Sequence, residues 1–314
     1  MALSVSTDLT DSSGRELLEY GTPDFPAAFF YDDFRIVSVA WHWHDELELN
    51  YVLEGSEQVT IGRDSFVLRA GEGYFCNSGI LHKADALSEI CLQKCIVFHP
   101  RLIGEESSLY YHKYAIPLLE NAALTYVRLT PEIPWQQEAL SRIHDAWNAG
   151  RDEPEGFEMT IRYLLGQVML SVVSNKDSLS APARGSMQIR SENRVKKMIA
   201  YIESNYASQV TIGDIASSAD ISVSECLRCF RSVLKVTPVK FLNQYRIDKA
   251  ASLLHDSELS IGEIAERCGF DDASYFTRSF KKARGCSPSL FRSNRKPEDH
   301  DLTCAWSENF QLFT

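Results

Sequence analysis

The sequence predicts a multidomain chain: a small all-β barrel, then a pair of helices, then an all-α module that uses a helix-turn-helix twice. Three observations carry this prediction. Short alternating runs punctuated by glycine fill residues 29–100, an apolar stripe of 3.6-residue period runs through 156–174, and a motif at 211 returns at 260. With 314 residues, 44% of them hydrophobic, there is apolar material for about two domains of roughly 100–200 residues each.

The β region reads as RIVSVAWHWH, ELELNYVLEG, SEQVTIG and DSFVLRAG, with Gly55, Gly62 and Gly71 between runs. Short strands at regular spacing point to a barrel or sandwich. His42, His44 and Glu48 share parity, so in one extended strand over 42–53 they project from a single face. Helices follow at 132–148 and 156–174. The second carries Ile161, Leu164, Leu165, Val168, Met169 and Val172, a stripe that must bury against the barrel or a second subunit. The segment NKDSLSAPARGSMQIRS is linker by composition, because Ser, Ala, Pro and Gly dominate and no apolar period survives. The boundaries that result are a β domain over 1–130, a helical dimerisation or docking segment over 131–175, a linker over 176–191, an all-α module over 192–293 and an acidic, aromatic tail over 294–314.

Within the all-α module, TIGDIA at 211–216 recurs as SIGEIA at 260–265. Thr211 with Asp214, and Ser260 with Glu263, each fit a capping box that opens a helix. Each short helix ends in a turn, at Asp220-Ile221 or Gly269-Phe270, where Gly and less readily Asp tolerate a left-handed backbone. A further helix opens at Ser222 in one copy and at Asp271 or Asp272 in the other. Val236-Thr237-Pro238 is echoed by Cys286-Ser287-Pro288, with the hydroxyl residue as cap and Pro in the first helical position. Two copies are too few for a solenoid. Helix, tight turn, helix is instead the geometry in which a second helix enters the major groove of DNA. The helix from Pro238 to about His255, roughly 27 Å at 1.5 Å per residue, would hold two reading helices near one DNA turn apart, ~34 Å.

Charge agrees once it is divided. The net charge is −11, yet residues 192–296 carry 17 Lys and Arg against 12 Asp and Glu, while the remainder carries 15 against 31. A basic module joined to an acidic domain with another task is the implication. No run approaches the ~20 apolar residues of a membrane span, and the N-terminus has no basic-then-apolar leader. Of eight cysteines, only Cys226 and Cys229 form a C-x-x-C, inside a helical pattern and without a second pair, so they read as small buried hydrophobes. A reducing, cytoplasmic location follows.

At these residues the chain resembles the AraC/XylS family of transcription regulators. The resemblance covers about residues 190–293 and is densest in IGEIAERCGFDDASYFTRSFKKARGCSPSLFR, where Ile264, Ala265, Gly269, Phe270, Phe276, Phe280, Gly285, Pro288 and Arg292 keep the family's order and spacing. The first copy departs from it at Cys226, where leucine is usual, and at Asp220, where Gly is usual. Helical phase turns Cys226, Cys229 and Phe230 inward on the first reading helix, leaving Val223, Ser224, Leu227 and Arg228 outward. On the second, Tyr275, Phe276 and Phe280 turn at least partly inward, leaving Ala273, Ser274, Thr277 and Arg278 toward the groove. The resemblance assigns base reading to Arg228 and Arg278, a role that suits a guanidinium fork spanning the O6 and N7 of guanine. Arg231, Lys281 and Lys282 are expected on phosphates, and Lys196 and Lys197 on a solvated face.

The N-terminal region carries a second resemblance. His42-x-His44, then Glu48 and Gly55, looks like the first motif of the cupin barrel, and Asn77-Ser78-Gly79-Ile80-Leu81-His82 like its second, with asparagine where proline is common. In metal-binding cupins the matching positions hold one divalent ion, which makes His42, His44, Glu48 and His82 candidate ligands, a set suited to Fe, Mn, Ni or Zn. A polar effector pocket without metal and purely structural histidines are the competing readings of the same residues. The implied protein is a small-molecule-responsive activator, not an enzyme: a homodimer that binds promoter DNA and meets RNA polymerase, with no membrane partner. The rival is a cupin metalloenzyme fused to a DNA-binding module.

Overall fold

The computed structural model describes residues 20–35, 39–179 and 185–293. Two compact units result. One gathers Met1–Tyr201 with Ala216–Lys235, and the other Ile202–Ile215 with Val236–Thr314. The tail read over 294–314 lies outside the described residues.

The first unit is built on nine strands among its described residues: β1 (Ala27–Asp33), β2 (Val39–His42), β3 (Leu47–Glu54), β4 (Ser56–Ile61), β5 (Asp64–Arg69), β6 (Gly73–Cys76), β7 (His82–Ala86), β8 (Leu92–Phe98) and β9 (Tyr126–Leu129). They form two antiparallel sheets, in the orders β1-β8-β3-β6-β9 and β2-β7-β4-β5. Alternation along a strand sends successive side chains to opposite faces. Thus Leu47 and Leu49 of β3 join one apolar cluster, while Val52 joins another with Val59, Ile61, Leu68 and Tyr74. Gly55 allows the β3–β4 turn, with φ of +79° and no room for a Cβ, which would stand 2.0 Å from the Ile90 carbonyl oxygen.

The outer cluster is closed by helices. After the short α1 (Ile116–Leu119) come α2 (Pro134–Asp152) and α3 (Phe157–Leu179). Ala139, Leu140, Ile143 and Trp147 of α2, with Ile161, Leu165, Val168, Met169 and Val172 of α3, bury against Phe29, Leu49, Phe75 and Ile96 of the sheet. The Trp147 indole N–H donates to the Phe30 carbonyl at 2.8 Å. The stripe seen in the sequence is therefore spent inside its own unit.

Two expectations are corrected. Residues 42–53 are not one strand, since β2 stops at His42, β3 starts at Leu47, and the two belong to different sheets. Two sheets that face each other need a crossover, and Trp43 to Glu46 make it. The segment 176–191 is helical at both ends, as α3 reaches Leu179 and α4 (Ser186–Asn205) begins at Ser186. The Ser, Ala, Pro and Gly composition that marked a linker is confined to about 180–185, and Met187, Gln188 and Arg190 are good helix formers.

The helix-turn-helix elements follow the capping signals. They are α5 (Ile212–Ser217), α6 (Val223–Val233), α7 (Pro238–Asp256), α8 (Ile261–Arg267), α9 (Ala273–Arg284) and α10 (Pro288–Ser293). Thr211 and Asp214 exchange hydrogen bonds, and Ser260 with Glu263 completes a full capping box. Ser222 caps α6, Thr237 caps α7 and Asp272 caps α9, where its Oδ1 accepts from the Ser274 and Tyr275 amides. In the second unit, Ile247, Ala250, Leu254, Ile264, Cys268, Phe270, Phe276 and Phe280 form a core among α7, α8 and α9.

Candidate functional site

His42, His44, Glu48 and His82 converge, each offering a ligand atom within 4.8 Å of the others. β2 and β7 bring His42 opposite His82 in register, the crossover carries His44, and β3 delivers Glu48 from the facing sheet. His44, Glu48 and His82 are buried. Glu48 Oε2 lies 3.0 Å from His44 Nε2 and 2.7 Å from His82 Nε2, and Tyr74 donates its hydroxyl proton to Oε1. The outer ring nitrogens share one pattern. Nδ1 of His42, His44 and His82 lies 2.9, 3.2 and 2.7 Å from the carbonyl oxygens of Ala40, Glu46 and Ile80.

Carbonyls only accept, so each Nδ1 carries the proton, and Nε2 of His44 and of His82 is left facing Glu48. A neutral Nε2 would then set its lone pair against the Glu48 carboxylate, unless a proton or another cation stands between them. Burial opposes charge on Glu48, but His82 and His44 outweigh it and hold the carboxyl well below its usual range. Burial likewise opposes charge on His82, and Glu48 outweighs it and raises the imidazole. His42 is pushed down to about 3 by burial and by its neighbour His82. Anchoring Nδ1 on a carbonyl while Nε2 faces inward is how metal-binding imidazoles are oriented. The donor set and its supports thus fit a divalent transition ion.

The reading helices present what helical phase requires. On α6, Cys226, Cys229 and Phe230 are buried, and burial pushes the Cys226 thiol up to about 11. Ser224, Leu227, Arg228 and Arg231 line, with Ser232, an open surface hollow of about 490 Å³. Arg228 is exposed and bridges Glu225 at 2.6 Å, and Glu225 also receives Arg194 at 2.8 Å. An exposed pair of this kind is screened by solvent and weak, and yields readily to a phosphate or base. On α9, Phe276 and Phe280 are buried while Tyr275 is more exposed than the phase implied. The Tyr275 ring lies 6.1 Å from Phe270, and its hydroxyl meets Asn243. Ser274, Arg278, Lys281 and Lys282 are exposed, and Thr277 is half-buried with its hydroxyl on the Ala273 carbonyl.

Comparison with known proteins extends this picture. Residues 215–294 match a family described as a helix-turn-helix domain, and residues 29–146 one described as an AraC-like ligand binding domain. The arabinose operon regulatory protein of Escherichia coli (strain K12) is 31% identical over 258 residues, covering 81% of this chain and 82% of that protein. The chain belongs to the AraC family of transcription regulators. The transcriptional activator RhaS of Escherichia coli O139:H28 is 33% identical over 254 residues, covering 81% of this chain and 87% of its own. The regulator YdeC of Bacillus subtilis is 27% identical over 286 residues, covering 90% and 97%. In family terms, the first unit contains the ligand-binding domain, and α5–α6 with α8–α9 are the two helix-turn-helix pairs. Among the described residues no helix is long and apolar enough to cross a membrane.

Three residues at this AraC-type site escaped sequence reasoning. Tyr74 completes the hydrogen bonding of Glu48, but a tyrosine at a strand position carries no motif. Lys196, expected on a solvated face, donates to the Gly79 carbonyl at 2.6 Å and lies 3.9 Å above the Trp43 ring, between two histidines of the cluster in sequence. Glu57 is fully buried on β4, where alternation alone marked it as an ordinary polar position.

Proposed function

We propose that this AraC-family regulator is a small-molecule-responsive transcription activator whose His42, His44, Glu48 and His82 cluster lines the effector cavity and holds a divalent transition metal. The observation that carries the reading is that all three imidazoles set Nδ1 on a backbone carbonyl, while Nε2 of His44 and of His82 meets Glu48 and His42 offers its ligand atom within 4.8 Å of the rest. A metal there would supply a Lewis-acidic anchor for an anionic or carbonyl oxygen of the effector. The chain's own residues hold the donors in place, and Tyr74 donates a hydrogen bond to the second oxygen of Glu48. Effector binding acts by differential affinity for two arrangements of the units. Ser224, Arg228, Ser274, Thr277 and Arg278 read promoter base pairs, while Arg231, Lys281 and Lys282 neutralise phosphates. Its seat is the cytoplasm, where the seven described cysteines, none of them in a disulfide, stay reduced. As an activator it would meet RNA polymerase.

Elemental analysis of the purified protein tests the metal. About one transition ion per chain is expected, with loss in His44→Ala and His82→Ala and unchanged DNA binding by both variants in the absence of effector. A metal-free wild type whose His44→Ala variant still loses its response would leave a purely polar pocket. A wild type and variant with identical responses would remove the cluster from function. Turnover of a small molecule by the full chain would favour a cupin enzyme instead.

We further infer a homodimer formed through α3. Met159, Tyr163 and Leu170 are exposed at 70%, 63% and 38%, and the spacing of four and then seven residues places them on one helix face. That face lies apart from the buried stripe.

A further inference from the structure

The barrel interior contains a second polar group that the histidine cluster does not use. Asp32 of β1, Asn50 of β3, Glu57 of β4 and Gln93 of β8 are at most 3% exposed. Gln93 pairs with Asp32 across β1–β8, and Asn50 lies on the neighbouring strand with Cys95 opposite it. Asn50 Nδ2 donates to Gln93 Oε1, and Gln93 Nε2 donates to Asp32 Oδ2 at 2.9 Å. Asn50 Oδ1 and both carboxyl oxygens of Glu57 are buried with no hydrogen-bond partner. Buried polar atoms are nearly always paired, by protein, water or ligand. Three unpaired acceptors in one interior therefore mark polar ground that water or a bound molecule completes.

The missing partner has a definable chemistry. Asn50 Oδ1 accepts, and Glu57 accepts at both oxygens once it ionises, so a partner that donates suits both. Glu57 lies within electrostatic reach of Asp32 and Glu48, and burial together with these two carboxyls pushes its pKa up to about 8. A neutral hydroxyl would satisfy one oxygen and leave Glu57 un-ionised beside Asp32 and Glu48. A cationic group satisfies several acceptors and compensates the charge, which also lets Glu57 ionise.

We propose that Glu57, Asn50 and Asp32 form a subsite of the effector cavity that takes a primary ammonium or guanidinium group. This rests on the reading of the barrel as the effector domain and narrows the effector to a small organic cation. If a metal occupies the histidine cluster, the same molecule would carry its oxygen functions toward that pole and its nitrogen toward Glu57.

Calorimetric titration of the full chain with agmatine, putrescine and 1,4-butanediol at pH 7.5 is the test. At least one amine is expected to bind, with affinity at least tenfold weaker in Glu57→Gln, while the uncharged diol does not bind. In the absence of any probe, Glu57→Leu and Glu57→Gln are expected to raise the melting temperature, because each removes a buried carboxyl that has no partner. A diol that binds as well as the amines and is lost in Glu57→Gln would overturn the cationic assignment while leaving the effector cavity standing. Absence of amine binding at 10 mM, or a lowered melting temperature in both variants, would overturn the subsite itself. The response of His44→Ala reports separately on the cavity.

Discussion

Arg278 and Lys282 sit one helical turn apart on α9, both exposed, yet their chemistry suits them to the different work proposed for them. A guanidinium addresses two acceptors on one base edge, whereas an ammonium is a point charge that any phosphate satisfies. Arg278→Ala is expected to cost about 1–3 kcal/mol on the specific site and to relax preference at one base pair. Lys282→Ala should weaken specific and random DNA alike and lower the salt slope by about one. Fluorescence anisotropy over a salt series on promoter and scrambled duplexes separates the two, and equal losses for both variants on both duplexes would end the base-reading role of Arg278. At Arg228 the same experiment has an internal competitor. Glu225 must release the guanidinium first, so Glu225→Gln should tighten binding modestly.

At the scale of elements, the second helix-turn-helix depends on one backbone position. Gly269 holds φ of +75° between α8 and α9, and a Cβ there would lie 2.4 Å from the Tyr206 carbonyl oxygen and 2.9 Å from the Arg246 guanidinium. Arg246 is itself committed, donating to the Tyr206 and Ser208 carbonyls at 2.8 and 2.7 Å. Gly269→Ala therefore meets backbone strain on the order of 1–3 kcal/mol and a steric conflict with main chain. The expected outcome is a lowered denaturation midpoint with weakened DNA binding, read by chemical unfolding, while Gly62→Ala, whose Cβ meets open space, costs less. The first copy solves the same turn with Asp220 at φ of +54°, which predicts that Asp220→Gly is neutral or stabilising.

For the molecule as a whole, net charge conceals function. An overall charge of −11 would repel DNA, but residues 192–296 carry five more basic than acidic side chains, and the field near the duplex is theirs. Two such modules in one particle would double the phosphate contacts that dominate affinity. Sedimentation at micromolar concentration is expected to show a dimer for the wild type and a monomer for the double variant Met159→Glu/Tyr163→Glu, with DNA affinity reduced in parallel. A wild type that sediments as a strict monomer would count against the α3 face.

Sequence alone determined whatever depends on neighbours along the chain. Capping pairs three residues apart, the left-handed turns at Asp220 and Gly269, the buried phases of Cys226 and Phe280, and the order of barrel, helices and paired helix-turn-helix are local or periodic properties. They were legible because their physics acts within one turn of helix or one strand. Tertiary structure decided what depends on which strands become neighbours. Parity placed His42, His44 and Glu48 on one face of one strand, but their convergence comes from two sheets joined by a crossover at 43–46, with His82 brought in by β7. The same holds for the α3 stripe, which the sheet claims, and for Glu57, whose significance lies in the missing partners of its two oxygens. A side chain's rotamer and cap are set by residues three or four positions away, whereas burial and pairing across a barrel are set by the register of strands tens of residues apart, and no local pattern encodes that register.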